Sequence, residues 1–449
     1  MTASDAGLPP VSGRVPQVWG NVPQRNKNFT GRDDILVRLR DGLAKSVTVV
    51  LPHALQGLGG VGKTQVAIEF AHRYAKEYDL VWWIPADQPP LVRASLAALA
   101  PQLGLPPATA SGIENAATAV LDALRRGHPF SRWLLIFDNA DQPEDLNDVI
   151  PRGGQGHVLV TSRNHRWQSV VETVQVDVFT PEESVEFLNR RIRGTLDPDA
   201  AATLAAELGY LPLALEQAAA LQSETGMSTE EYLRLLKDQT VSIMDEGKSP
   251  DYPLSMTAAW QLSVSTLEQH QPEAVELLRC CAFLAPEPIP RDLFPRAAHE
   301  LRPPLGDLLS NPIRLAKAIR ELGRFALVRI EGRTIIIHRL IQALLRGALT
   351  AQQEQRYREQ AHILLAVGAP QDPDDDKLWP RYAELVAHVA STATQLEQSS
   401  NAEVREFAVD MVRYLYNSGD LGAAQSFAER FINAWKPVTP EGDLQLLRA

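Results

Sequence analysis

The 449-residue sequence predicts an α/β domain, with a parallel sheet covered by helices on both faces, followed by three helix-rich segments. Three observations carry this expectation. Between residues 47 and 178, short apolar runs alternate with stretches of helical periodicity. A glycine-rich stretch separates the first apolar run from the first long helix. From Thr180 onward helical spacing takes over, interrupted by one short β-rich hairpin.

Taken in order, residues 1–26 are rich in Pro, Gly and polar groups and lack periodicity, so they read as an extended arm. That length is too short for a separate effector or DNA-binding module. Asn28-Phe29-Thr30-Gly31-Arg32-Asp33-Asp34 then leads into a helix carrying Ile35, Leu36 and Leu39. Val47-Thr48-Val49-Val50-Leu51 is β-branched and apolar, as a buried parallel strand should be. The next residues, Gln-Gly-Leu-Gly-Gly-Val-Gly-Lys-Thr at 56–64, match G-x-x-x-x-G-K-[ST]. Val66, Ala67, Phe70, Ala71 and Tyr74 follow at helical spacing.

A strand, a glycine-rich turn and a helix in that order make a phosphate-binding loop. Glycines let the backbone aim several N–H groups at a phosphate, and the helix beginning near Lys63 adds its positive dipole end. Lys63 is expected to reach the β- and γ-phosphates, and the Thr64 hydroxyl to ligate Mg²⁺. The nucleotide-contacting set in this stretch is Gly57, Gly59, Gly60, Val61, Gly62, Lys63, Thr64 and Gln65.

Further strands are expected at 80–84, 132–138, 157–163 and 174–178, with helices near 88–103 and 114–126. Ligands of such sheets sit at the carboxyl ends of the strands. Asp138 ends its strand as a second Mg²⁺ ligand would, and hard Mg²⁺ requires an anionic oxygen opposite the Thr64 hydroxyl. Arg163 ends another strand and can fork onto a γ-phosphate. The phosphate-loop domain is thus expected over 27–179.

Thr180 as N-cap, Pro181 at N1 and Glu182–Glu183 in the first turn open a helical domain over 180–245. Its second helix stops at Gly209, and Pro212 opens the third. A polar linker follows. Residues 254–350 mix helices with two strands, 325–330 and 334–338, joined by a Glu331-Gly332-Arg333 turn, which suggests a winged helix. Residues 351–449 are helical, and Gly419, Ala424, Phe427 and Pro437 resemble one tetratricopeptide hairpin. About three such repeats are needed for stability, so a longer repeat array truncated at 449 is expected.

The formal charge of −11 argues against a chain-wide nucleic-acid coat. Between Trp260 and Thr350 there are 12 Arg or Lys against 9 Asp or Glu, a weak footprint for DNA. Cys280 and Cys281 are adjacent, which disfavours a disulfide and suggests buried thiols in a cytoplasmic protein. No Cys/His spacing suggests zinc, and no run approaches the roughly 18 apolar residues of a membrane span.

The ordered set Phe29–Arg32, 57–64, 134–138, 161–163, 209–214 and Ile337-His338-Arg339 resembles the NB-ARC branch of the STAND ATPases, notably the bacterial NB-ARC–tetratricopeptide proteins of actinobacteria. The resemblance implies roles that spacing does not. Thr30 and Arg32 would border the adenine, Pro212 would pack against it, and His338 would reach the β-phosphate of ADP. ADP would hold a closed, monomeric form, and ATP would release an open form that self-associates. The C-terminal repeats would sense a protein partner, and output would come from another protein, from missing sequence, or from the switch itself. Winged-helix DNA binding and sustained ATP turnover are the alternatives.

Two departures from the family pattern matter. Its second acid after the Mg²⁺-binding Asp is Asn139 here, and an amide does not accept a proton from water. Asp141 is the candidate substitute, and hydrolysis through Lys63, Asp138 and Asp141 is expected to be slow. The family's Met-His-Asp reads Ile337-His338-Arg339, which removes the aspartate contact.

Overall fold

The computed structural model describes residues 15–43, 47–51, 60–151, 155–192, 196–245, 254–391 and 394–436. Two compact units emerge. The first comprises Met1–Lys27, Arg32–Leu51 and Lys63–Gln175; the second comprises Asn28–Gly31, Pro52–Gly62 and Val176–Ala449.

The first unit is built on six parallel strands: β1 (Val18–Gly20), β2 (Val47–Leu51), β3 (Leu80–Pro85), β4 (Trp133–Ala140), β5 (His157–Ser162) and β6 (Glu172–Gln175). Their spatial order is β1-β3-β4-β5-β2-β6. Side chains alternate between the faces. Trp133, Leu135 and Phe137 join the core beneath the helices Pro89–Leu99 and Ile113–Arg126, and Leu134 and Ile136, equally buried, point the other way. Fully burying each such side chain contributes about 1.5–3 kcal/mol. The apolar run of β4 therefore serves two cores at once, as both-face coverage predicts.

Two strands differ from expectation. The arm is docked, because Val18–Gly20 pairs in parallel with Leu80–Trp82 and extends the sheet edge. Three residues are too few to display an alternating pattern. At the other edge, β6 begins at Glu172, two residues before the apolar run, because pairing with Thr48–Leu51 sets its register.

The second unit is mainly helical. Helix Pro181–Arg191 starts at the expected Thr180 cap, and Glu183 completes a capping box by bonding back reciprocally. Helices Pro198–Glu207, Pro212–Thr225 and Thr229–Asp245 follow. Next come Leu254–His270, Pro272–Cys281, Leu293–Arg296, Leu305–Leu309 and Pro312–Arg324. A small antiparallel sheet joins them: β7 (Ile289–Pro290), β8 (Arg329–Glu331) and β9 (Thr334–Ile336), in the order β7-β9-β8. The hairpin turns at Gly332, as expected, but both strands are shorter than their apolar runs, and β7 is an addition.

The C-terminal helices are Arg339–Gly347, Ala351–Gly368, Trp379–Ala390, Ala402–Asn417 and Leu421–Trp435. The last two pack as a helical hairpin with Gly419 in the left-handed region at its turn, while Pro437 of the resembled repeat lies outside the described residues. Buried His388 accepts from the Ala285 N–H at 3.1 Å, and Thr394 donates to the Phe283 carbonyl. Both bonds pin this segment to residues 283–285. Burial lowers the His388 pKa to about 4.

Candidate functional site

Within the first unit, the site grows from the helix Lys63–Arg73 and the carboxyl ends of β4 and β5. The Thr64 hydroxyl donates to Asp138 Oδ1 at 2.9 Å. Thr161 donates to the same oxygen at 2.6 Å and accepts from the Asn139 N–H at 2.8 Å. Two hydroxyls thus orient one carboxylate, and its second oxygen takes part in neither bond. A hydroxyl and an oriented carboxylate side by side fit a hard cation. Thr161 escaped the sequence reading; its only signal is a hydroxyl at the end of a strand next to the acidic one.

Lys63 is buried at the helix start. Glu69, with its side chain only 3% exposed, receives a bidentate pair of bonds from Arg25 and a further one from Arg73. Burial alone would raise the Glu69 pKa; the two guanidinium groups outweigh it, so the carboxyl falls below its ordinary value. These contacts fix the helix that presents Lys63 and Thr64. Gln65 accepts a bond from Asn26 at 3.1 Å.

Asn139 occupies the left-handed region with φ 66°, at a register shift in the β4–β5 pairing between Phe137 and Ala140. Asn tolerates that conformation better than most residues. Asp141 is exposed, and its carboxylate accepts from Gln142 at 3.2 Å. Arg163 is half-buried directly after β5. Arg32 is buried, with φ 64°, and its carbonyl starts the helix Asp33–Leu43. Gly57 and Gly59 lie outside the described residues.

Within the second unit, the end of the phosphate-loop motif meets two other segments. Gly60 and Gly62 have φ of 92° and 95°, which glycine alone adopts readily. The Gly60 carbonyl accepts from the Leu213 N–H at 3.3 Å. A Cβ at Gly60 would lie 3.0 Å from Leu213 Cβ and 3.7 Å from Leu340 Cδ2. Val61 is buried. Leu213 follows Pro212, which sits at N1 of its helix after two left-handed residues, Gly209 and Tyr210. Leu340 donates its N–H to His338 Nδ1 at 3.2 Å, so His338 caps the helix Arg339–Gly347.

Two further bonds tie the Pro212 helix to the β-containing segment. Gln217 donates to the Ala326 carbonyl at 2.5 Å, and Arg324 pairs with Glu224. Thr30 is buried and donates to the Asn28 carbonyl, and Arg190 donates to the Phe29 carbonyl. Gly31 has φ 64°, and a Cβ there would meet the end of the Glu183 side chain, so a substitution would be strained. Residues 28–31 and helix Pro181–Arg191 therefore form one packed element.

The NB-ARC domain family matches residues 33–194. Over these residues the chain is similar to an NB-ARC domain. A domain of unknown function, DUF7779, matches residues 265–354. The chain is 24% identical over 463 residues to a nucleotide-binding leucine-rich repeat (NLR)-like protein from Hyaloscypha variabilis, covering 92% of this chain and 44% of that one. It is 28% identical over 304 residues to the regulatory protein AfsR of Streptomyces griseus, covering 64% of this chain and 30% of that one. The chain therefore spans less than half the length of these relatives.

Among solved structures, a STAND protein with a tetratricopeptide repeat sensor from Pyrococcus horikoshii is similar in fold. Its TM-score is 0.50 at 13% identity, over 94% of this chain and 60% of that one. The NB-ARC domain carries nucleotide binding with it, and the two left-handed glycines, buried Lys63 and the Thr64–Asp138 pair suit that ligand. Among the described residues, no helix is long and apolar enough to cross a membrane.

Proposed function

We propose that this chain is a nucleotide-driven switch that rests with ADP and is released by exchange for ATP. One observation carries the reading. Gly60 is met in the second unit both by Leu213, next to Pro212, and by Leu340, held by His338. A nucleotide on this loop would couple to both helices. A ligand shifts a conformational equilibrium by its difference in affinity for the two arrangements, and this junction supplies such a difference.

Each residue has a role in that reading. The glycine-rich loop would offer backbone N–H groups to the phosphates, and Lys63 would neutralise them. Thr64 and Asp138 would hold Mg²⁺, which supplies charge neutralisation at the β- and γ-phosphates when bound. Arg163 reports the γ-phosphate. Thr30, Arg32 and Pro212 border the base, and Gln65 lines the first helical turn. Because His338 Nδ1 accepts from Leu340, the neutral ring carries its hydrogen on Nε2, a donor suited to an ADP phosphate oxygen. Helices from 351 onward serve as the sensor for a protein partner, and the ATP form self-associates.

DNA binding draws less support. The helix Pro312–Arg324 exposes Arg314, Lys317, Arg320 and Arg324. Arg314 is paired with Glu273, Arg320 with Glu321, and Arg324 with Glu224 and Glu321, so three of these four cations serve the chain itself.

The deciding experiment denatures the purified protein, identifies the released nucleotide and weighs the native protein in ADP and in ATP. Near-stoichiometric ADP, a monomer with ADP and a larger species with ATP are expected. A preparation with no nucleotide and no affinity for either would overturn the reading.

A further inference from the structure

We propose that residues 281–285 form a relay through which the C-terminal helices set the position of the helix beginning at His338; this rests on the switch reading above. The segment ends the helix Pro272–Cys281 and continues past it, and each of its five residues is at most 1% exposed. The last carbonyls of a helix have no partner within it, and a buried carbonyl must find one elsewhere. Here side chains from two directions supply the partners.

From one side comes the helix Arg339–Gly347. Gln342, itself buried, spreads its amide N–H groups over the carbonyls of Cys281 at 3.3 Å, Leu284 at 3.1 Å and Ala285 at 3.5 Å. Arg346, one helical turn on, donates to the Ala282 carbonyl at 2.5 Å. From the other side come the helix Trp379–Ala390 and the turn after it. His388 accepts from the Ala285 N–H at 3.1 Å. The Thr394 hydroxyl lies 2.7 Å from the Phe283 carbonyl and 2.7 Å from the His388 carbonyl, so its one hydrogen joins the two. His362, on the helix Ala351–Gly368, donates to the Thr394 carbonyl at 2.6 Å and holds that turn in place.

The two sides serve different ends of the switch. The helix Arg339–Gly347 is capped by His338 and carries Leu340, which faces Gly60 on the phosphate-loop motif. His362, His388 and Thr394 belong to the helices proposed to sense a partner. Neither side can shift along residues 281–285 without leaving a buried carbonyl unsatisfied, so movement of one displaces the other. A partner that displaces the C-terminal helices therefore loosens the His338 helix, and the bound ADP with it. Coupling is reciprocal, so ADP that draws in His338 also steadies the turn at Thr394.

The test measures the ADP release rate, by displacement of a fluorescent ADP analogue, and the melting temperature. It compares wild type, Thr394→Val, Thr394→Ser, Gln342→Leu and Phe431→Leu. T394V removes the hydroxyl at nearly constant volume; F431L is a core change in the last helix, Leu421–Trp435, outside the relay. T394V and Q342L are each expected to speed ADP release about tenfold, within the usual range of coupling between sites. T394S, which keeps the hydroxyl, is expected to stay close to the wild-type rate, and F431L to lower the melting temperature without faster release. Release at the wild-type rate in T394V would overturn the proposal. So would T394S as fast as T394V, or F431L as fast as T394V at an equal loss of melting temperature. Arg346→Met, at a half-buried position, decides by the same readout if T394V does not fold. Failure of the switch reading appears separately, as a wild type that binds no ADP.

Discussion

At one end of the phosphate-loop motif, in the first unit, contacts are polar: Thr64 and Thr161 share Asp138 Oδ1, and Lys63 is buried beside them in sequence. At the other end, in the second unit, contacts are apolar: Gly60 lies against Leu213 and Leu340. In the proposed switch, hydrogen bonds and charges at the first end would discriminate phosphate and cation, because they are directional. Close packing at the second end discriminates conformations, because it tolerates little displacement. In the proposed switch, chemistry and coupling would be carried by different residues, each open to attack alone.

The largest effect is expected at the polar end. Lys63→Ala should weaken ATP and ADP binding at least about 100-fold, roughly 2.8 kcal/mol, with little change in the melting temperature of the nucleotide-free protein. Titration calorimetry checks it. Equal affinities would remove Lys63 from the phosphate site.

Gly60→Val attacks the apolar end. Its φ of 92° is strained for a side chain, and Leu213 Cβ stands 3.0 Å from the new atom. A cost of about 1–3 kcal/mol is expected, seen as a lower melting temperature and less retained ADP. If ADP retention survives while Lys63→Ala abolishes it, packing around Gly60 plays no part in holding the nucleotide.

Asn139→Asp sharpens the chemical side. Aspartate tolerates the left-handed conformation at this position, and it restores a second acid. Turnover should rise about tenfold, an effect within the range of added general-base catalysis, while stability stays nearly constant. Phosphate release under multiple turnover measures it.

The smallest effect lies in the second unit, remote in sequence from the motif. His388 is neutral when folded, with a pKa of about 4 against an ordinary 6.5. Between those values the unfolded chain binds more protons, so stability should fall as pH drops from 6.5 toward 4. His388→Gln should flatten that slope in melting experiments. An unchanged slope would assign it to other groups.

How legible these features were depends on how local their causes are. Strands β2 to β5 and the helices between them announce themselves by period, since burial of a face imposes it residue by residue. Thr180, Pro181 and Glu183 declare a helix start, because capping is satisfied within four residues. By contrast, Val18–Gly20 and Ile289–Pro290 are strands only because a partner edge exists for them. The hairpin strands stop short of their apolar runs, since pairing and burial are separate requirements.

Among the candidate site residues, the motif at 57–64 and Asp138 were readable from spacing alone. Thr161 was not, for it gains its meaning from the strand beside it, β4. Asn139 was readable as a missing acid, but its left-handed backbone at a register shift was not. The sequence by itself determined the α/β alternation, the phosphate loop and the absence of an acid at 139, because these are written in contiguous residues. Tertiary structure alone decided which hydroxyls orient Asp138 and which helices meet Gly60, because those contacts join residues far apart in the chain.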